Sequence, residues 1–267
     1  MTIREWVREI EVKGEVSFSV DAVIKNFPNM TEQSIRNDLY RLNTQKIIST
    51  VYNGFYVIIP VQYASKGIVP SVYYIDQLME FIGKPYYISL LNAAEFFGAA
   101  HQRPQSFCVT TILPKSTVSK DKNNELNWIY RSEIPEKFLC VKNSETGTVR
   151  YSNAELTAVD LVQYSQYVGS MSRASTILAE LVEQTDFSNK VDELLQFTTL
   201  STIQRLGYIL EFVLEEIDQA EVIYTQLIAT KRRLNYVSLN PQGKKKSNMK
   251  DKKWRININS QIEIDEI

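Results

Sequence analysis

An Asn-Gly pair at positions 53 and 54 sits between two runs rich in β-branched and aromatic residues, Ile47-Ile48-Ser49-Thr50-Val51-Tyr52 and Phe55-Tyr56-Val57-Ile58-Ile59. Asn-Gly favours a two-residue type I′ turn, because that turn needs positive φ at both central residues. The pair therefore predicts a β-hairpin. What precedes it narrows the fold further. Ser19 stands where an N-cap belongs, Asp21 falls in the first turn, and Ala22, Val23, Ile24 and Phe27 make an apolar side. Pro28 stops that helix and Asn29-Met30 turns the chain. Thr31 then caps a second helix running to about Gln45, with Glu32 placed to meet the positive end of the helix dipole. An earlier helix over residues 2–13 carries Ile3, Trp6, Val7 and Ile10 on one side and ends at Gly14. Val16-Ser17-Phe18 supplies a short extra strand. This order of elements describes a winged helix-turn-helix over residues 1–60.

In the second helix of the pair, Ile35, Leu39 and Leu42 share one face at ~100° per residue and dock inward. Gln33, Arg36, Asn37, Tyr40, Arg41 and Thr44 fall opposite. These side chains suit a duplex: Arg reads guanine or phosphate, Gln and Asn read adenine, and Tyr and Thr bond phosphate. An ordinary solvated helix face has the same composition, and the hairpin that follows is what favours DNA. Asn53 and Gly54, at the wing tip, are the further candidates for groove or backbone contact. The charge balance pulls the other way. Residues 1–60 hold seven Lys/Arg and seven Asp/Glu, whereas DNA-binding domains are usually basic.

The remaining chain, residues 61–267, reads as a larger α+β domain with a central sheet and C-terminal helices. A linker at Tyr63–Pro70 leads to a helix that Ser71 caps, with Val72, Ile75, Leu78, Met79 and Ile82 as its stripe and Gly83 as its stop. A small-residue helix follows Ser89, closed by Gly98. Strands are expected at Ser106–Leu113, Trp128–Arg131, Phe138–Val141 and Thr148–Tyr151, then helices at about 153–166, 171–184, 189–198, 201–215 and 219–230. Two β-like stretches, Asn235–Leu239 and Trp254–Ile258, close the chain. Charge is segregated: residues 151–230 hold three basic and twelve acidic side chains, and residues 231–255 hold ten basic and one acidic. Within the basic segment Lys244, Lys245, Lys246, Lys250, Lys252 and Lys253 are candidates for a second nucleic-acid contact or a contact with a partner protein. A solvated loop is the plainer expectation for them.

Catalytic patterns are missing from the sequence. There is one histidine, His101, and no Cys/His cluster of metal-binding spacing; Cys108 and Cys140 read as free thiols. No Gly-x-Ser-x-Gly, Gly-x-Gly-x-x-Gly or Walker-type loop occurs. The expectation is no enzyme, no cofactor and no metal. No run of 18 apolar residues and no apolar leader is present, so no membrane contact and a cytoplasmic location are expected.

Beyond the N-terminal elements, the chain carries Tyr87-Ile88-Ser89-Leu90-Leu91-Asn92-Ala93-Ala94-Glu95-Phe96-Phe97-Gly98, then Pro104 ahead of Phe107-Cys108-Val109-Thr110-Thr111. Later come Asn153-Ala154-Glu155-Leu156-Thr157-Ala158-Val159-Asp160-Leu161-Val162 and Arg205-Leu206-Gly207-Tyr208-Ile209-Leu210-Glu211. In this order, across residues 5–260, the segments resemble the AbiEi antitoxin family. The resemblance implies an antitoxin of a type IV toxin–antitoxin, or abortive-infection, system. Such a protein represses its own operon by binding inverted repeats in double-stranded DNA, and counters a nucleotidyltransferase toxin through its C-terminal domain. The alternative is an adaptor whose winged domain makes protein contacts only, which the neutral charge would suit. A nucleic-acid enzyme is a weaker third reading. Oligomeric state stays open, since inverted repeats accept either a dimer or one monomer per half-site.

Overall fold

The computed structural model describes residues 1–65, 67–99, 106–115, 126–243 and 249–264. Its contacts divide the chain into two compact units. One takes Met1–Tyr87 with Gln105–Ser132 and Val141–Arg150; the other takes Ile88–Pro104, Glu133–Cys140 and Tyr151–Ile267.

The first unit opens with α1 (Ile3–Val12), β1 (Ser17–Ser19), α2 (Val20–Asn26), α3 (Glu32–Thr44), β2 (Ile48–Tyr52) and β3 (Phe55–Ile58). Local chemistry explains these boundaries. Thr2 and Glu5 form a capping box, the Thr2 hydroxyl accepting from the Glu5 amide at 3.2 Å and the Glu5 carboxylate accepting from the Thr2 amide at 2.7 Å. Ser19 accepts from the Ala22 amide at 3.1 Å and Thr31 from the Ser34 amide at 3.2 Å, so both expected caps are in place. β1 and β2 flank β3, with β1 antiparallel to β3. Trp6, Phe18, Phe27, Ile35, Leu39, Leu42, Ile48 and Ile58 share the core beneath, where the Trp6 ring meets Phe18 edge-on at 5.3 Å.

Two local expectations need correction. The hairpin turn is not type I′: Gly54 takes positive φ (78°) but Asn53 does not. The register of β2 on β3 shifts between Thr50 and Tyr52, an irregularity next to the turn. Ser71 does not cap a long helix either. It begins a 3₁₀ turn, Ser71–Tyr73, its hydroxyl bonded to the Tyr74 hydroxyl at 3.0 Å, and α4 starts only at Ile75 and ends at Ile82. Gly83, at φ 71°, stops α4 as expected. Phe81 of α4 packs on Tyr52 and Phe55 at 6.2 and 5.3 Å, so the hairpin and α4 share one aromatic cluster.

The central sheet contains β4 (Tyr86–Ile88), β5 (Phe107–Ile112), β6 (Leu126–Arg131), β7 (Leu139–Ser144) and β8 (Gly147–Ser152), in the order β6-β5-β4-β8-β7. β5 runs parallel to β6, and β4 parallel to β8. β4 was not expected from the sequence, being only three residues long, yet all three are buried. With α5 (Leu90–Glu95) between β4 and β5, the architecture is α+β.

The second unit adds α6 (Ala154–Gln163), α7 (Met171–Leu181), α8 (Val191–Phe197), α9 (Leu200–Phe212) and α10 (Ile217–Ala229). Asn153, Ser170 and Thr199 cap α6, α7 and α9. α6 is buried from Ala154 to Val162, and its Glu155 carboxylate is compensated by Lys190 at 2.7 Å and the Asp186 amide at 3.0 Å. No helix among the described residues is long and apolar enough to cross a membrane.

A small sheet closes the chain: β9 (Val237–Ser238), β10 (Lys250–Asp251) and β11 (Ile256–Asn257), with β11 parallel to β9 and antiparallel to β10. It seats Trp254, which is fully buried, against α9. α9 receives the indole at Gly207, where an added Cβ would fall 2.6 Å from Cζ2 and closer still to Cη2 and Cζ3. The indole N–H donates to the Glu211 carboxylate at 2.7 Å, and the Gln204 amide donates to the Trp254 carbonyl at 2.7 Å. Lys253 completes the lock, its ammonium 2.7 Å from Glu211 and 3.0 Å from Glu221. Burial alone would push the Lys253 pKa down; Glu211 and Glu221 outweigh it and hold the pKa above the ordinary lysine value.

Two outcomes are expected. Gly207→Ala should lower stability by ~3 kcal/mol, since neither a helix backbone nor a packed indole yields to an added methyl. Urea unfolding followed by circular dichroism measures this, and an unchanged midpoint would refute the notch. Lys253→Met should cost about 2 kcal/mol by leaving Glu211 poorly compensated. A lysine with a raised folded-state pKa stabilises below its unfolded value and loses that contribution as pH rises through the folded value. The gap between Lys253→Met and the parent should therefore be full at neutral pH and close above about pH 10.5.

Candidate nucleic-acid interface

The six side chains expected on the outer face of α3, Gln33, Arg36, Asn37, Tyr40, Arg41 and Thr44, are all exposed. Their inward counterparts Ile35, Leu39 and Leu42 are buried to 5% exposure or less. Tyr40 is the most conspicuous of the outer set, a large aromatic at 73% exposure with no core to serve. The face is partly organised in advance. The Gln33 amide donates to Asn37 Oδ1 at 3.1 Å, and the Thr44 hydroxyl donates to the Tyr40 carbonyl at 3.0 Å. Asn43 Oδ1 accepts from the Thr50 amide at 3.1 Å and ties the end of α3 to β2.

Both arginines are paired along the helix. Arg36 lies 3.9 Å from Glu32 and Arg41 3.3 Å from Asp38, and all four side chains are more than a third exposed. Exposed pairs of this kind hold weakly and exchange readily for another anion. They also keep this face near neutral: each outward guanidinium has a carboxylate one turn away. Arg36 additionally faces Tyr56 of β3, whose hydroxyl pKa is raised by burial and only partly drawn back by the guanidinium.

The hairpin tip behaves differently at its two residues. Asn53 is exposed. Gly54 is half-covered, its carbonyl accepting from the Val20 amide at 2.8 Å and its α-carbon facing Val20 and Phe81. Gly54 therefore fixes the turn, and Asn53 is the residue left to meet a partner.

The basic segment divides in the same way. Lys244, Lys245 and Lys246 lie outside the described residues, as do His101 and Pro104. Lys250 and Lys252 are exposed, with the Lys250 ammonium 5.2 Å from the Tyr236 ring. Lys253 is turned inward and bound to Glu211 and Glu221, so its place among the solvent-facing contacts is corrected to a structural one. Arg205 is internal as well: it donates to the Ser238 carbonyl at 2.8 Å, and burial lowers its pKa. Tyr208 is buried against Phe212. The Arg-Leu-Gly-Tyr motif is thus a packing device. Sequence reasoning did not single out Tyr236 and Arg255, which line a cleft with Arg233 and Lys252. The signal available was a set of cations with an interleaved tyrosine, in the segments that flank β9, β10 and β11.

Residues 87–212 match the AbiEi antitoxin C-terminal domain. No curated protein matches the chain. Among solved structures, the crystal structure of the RV2827C protein from Mycobacterium tuberculosis is similar, with a TM-score of 0.66 at 13% identity over 94% of this chain and 88% of that one. At that identity the likeness shows a shared fold. The sequence resemblance and the family match coincide from Tyr87 through Glu211: over residues 87–212 the chain is similar to the AbiEi antitoxin C-terminal domain.

Proposed function

We propose that the protein is the antitoxin of a type IV toxin–antitoxin system and a repressor of its own operon. In this reading residues 1–60 are a winged helix-turn-helix that docks α3 in the major groove of inverted repeats. The domain that follows counters a nucleotidyltransferase toxin in the cytoplasm. The observation that carries the DNA-binding half is the outer face of α3. It presents two arginines, two amides and an exposed tyrosine on a helix whose opposite side is fixed in a core. Arg36 and Arg41 supply phosphate or guanine contacts, Gln33 and Asn37 read base edges, and Tyr40 and Thr44 bond the backbone. Asn53 reaches the flanking backbone. The antitoxin half is supported by the family match over residues 87–212. No catalytic role is assigned.

The adaptor reading rests on one specific observation, the carboxylates Glu32 and Asp38 beside the two arginines. The two readings separate in a mobility-shift titration on the protein's own promoter against a scrambled duplex, at two salt concentrations. The repressor should bind its promoter preferentially and weaken with salt; equal or absent binding on both duplexes would sink this half of the proposal. Arg36→Ala with Arg41→Ala should reduce the slope of log affinity against log salt by about 2, one per lost phosphate contact. The same variant should still neutralise the toxin, and a variant failing in both roles would refute the division of labour. Glu32→Gln with Asp38→Asn should have the opposite effect, tightening binding to both duplexes by freeing the guanidinium groups.

A further inference from the structure

A cleft of about 500 Å³ opens beside the C-terminal sheet, lined by Tyr224, Ile228, Arg233, Leu234, Asn235, Tyr236, Lys252, Lys253 and Arg255. Its chemistry is lopsided, with four cations and no carboxylate in the lining. Lys253 is neutralised by Glu211 and Glu221 and serves as a wall. The other three differ. Arg233 and Lys252 are exposed and make no ion pair or hydrogen bond among the described residues. Arg255 is held by a ring, its guanidinium 5.2 Å from the centre of Tyr236 and a nitrogen 3.4 Å from the Tyr236 hydroxyl. Its backbone is left-handed, with φ 55°. A non-glycine residue adopts that conformation at a cost of ~1 kcal/mol or more, and such strain collects at ligand sites. The neighbours hold it there: the Trp254 amide donates to Asp251 and the Val237 amide to the Arg255 carbonyl. The opposite chemistry is close by, since Tyr224 and Ile228 of α10 and Leu234 give the same cleft apolar and aromatic wall.

A cleft of this size takes a ligand of a few hundred daltons. Clustered cations call for a polyanion, and Tyr224, Ile228 and Leu234 beside them call for a ring. We propose that this cleft binds a nucleotide, its phosphates on Arg233, Lys252 and Arg255 and its base against Tyr236, Tyr224 and Ile228. A simple anion would leave Ile228 and Leu234 without a partner in the cleft, and an apolar ligand would leave three cations facing it. The shared chemistry fits either a free nucleoside triphosphate or a nucleotide within single-stranded RNA. The site is independent of the outer face of α3.

The test is fluorescence anisotropy of the full-length protein with a labelled octauridylate, alongside calorimetric titrations with ATP and with inorganic tripolyphosphate. Arg233→Ala with Lys252→Ala removes two exposed side chains and should weaken nucleotide binding about tenfold or more. Ile228→Ser should weaken ATP or the oligonucleotide but leave tripolyphosphate unchanged, because Ile228 holds none of the cations. Arg36→Ala with Arg41→Ala should leave all three ligands unaffected, which separates this site from the DNA-binding reading. Tighter binding of the octauridylate than of ATP would identify RNA as the source, and the reverse a free nucleotide. Equal binding of ATP and tripolyphosphate would reduce the cleft to an anion patch and overturn the proposal. So would nucleotide binding that is absent, or that survives loss of Arg233 and Lys252.

Discussion

The second unit depends on one fit, the Trp254 indole in the notch that Gly207 leaves on α9. No side chain larger than hydrogen is compatible with it. Because the ring sits where a Cβ would be, the small C-terminal sheet lies against the helix itself, and Glu211, Gln204 and Lys253 come within bonding distance as a result. Strands of two residues cannot hold a sheet together alone. β9, β10 and β11 exist because Trp254 anchors them, and the cleft lined by Arg233, Lys252 and Arg255 exists because they do.

The two polar surfaces use opposite electrostatic strategies. On α3 each arginine is accompanied by a carboxylate on its own helix, which holds net charge near zero and makes any anion a competitor for an already weak pair. In the C-terminal cleft Glu211 and Glu221 are bound to Lys253, and Arg233 and Lys252 have no carboxylate partner among the described residues. A screened face favours discrimination by shape and hydrogen bonding. An unscreened one favours capture of charge, and is more sensitive to ionic strength.

Much of the fold was legible because its signals are local. Ser19, Thr31 and Gly83 act on groups within a few residues, so spacing alone places them. The two faces of α3 follow from periodicity. The failures were cases decided at a distance. β4 is three residues long and gains its strand character from neighbours on both sides, so Tyr86-Tyr87-Ile88 carries no period to detect. The turn at Asn53-Gly54 takes positive φ only at Gly54, and the register shift in β2 beside it leaves no trace in the local sequence. Lys253 is indistinguishable by composition from the exposed lysines around it, and only the placement of Glu211 and Glu221 turns it inward.

The position of β4 also bears on how the chain reaches this state. It lies in the middle of the sheet order, and it pairs with β8 through Ile88 and Tyr151, with β5, β6 and β7 all falling between them in sequence. A parallel pairing across so long a loop must meet its closure entropy before any contact repays it, and such pairings form slowly. Until β8 arrives, the all-apolar β4 has an unmatched edge. During synthesis that edge is the part of the chain most in need of protection from other chains, and the time it stays open is set by the arrival of residue 151.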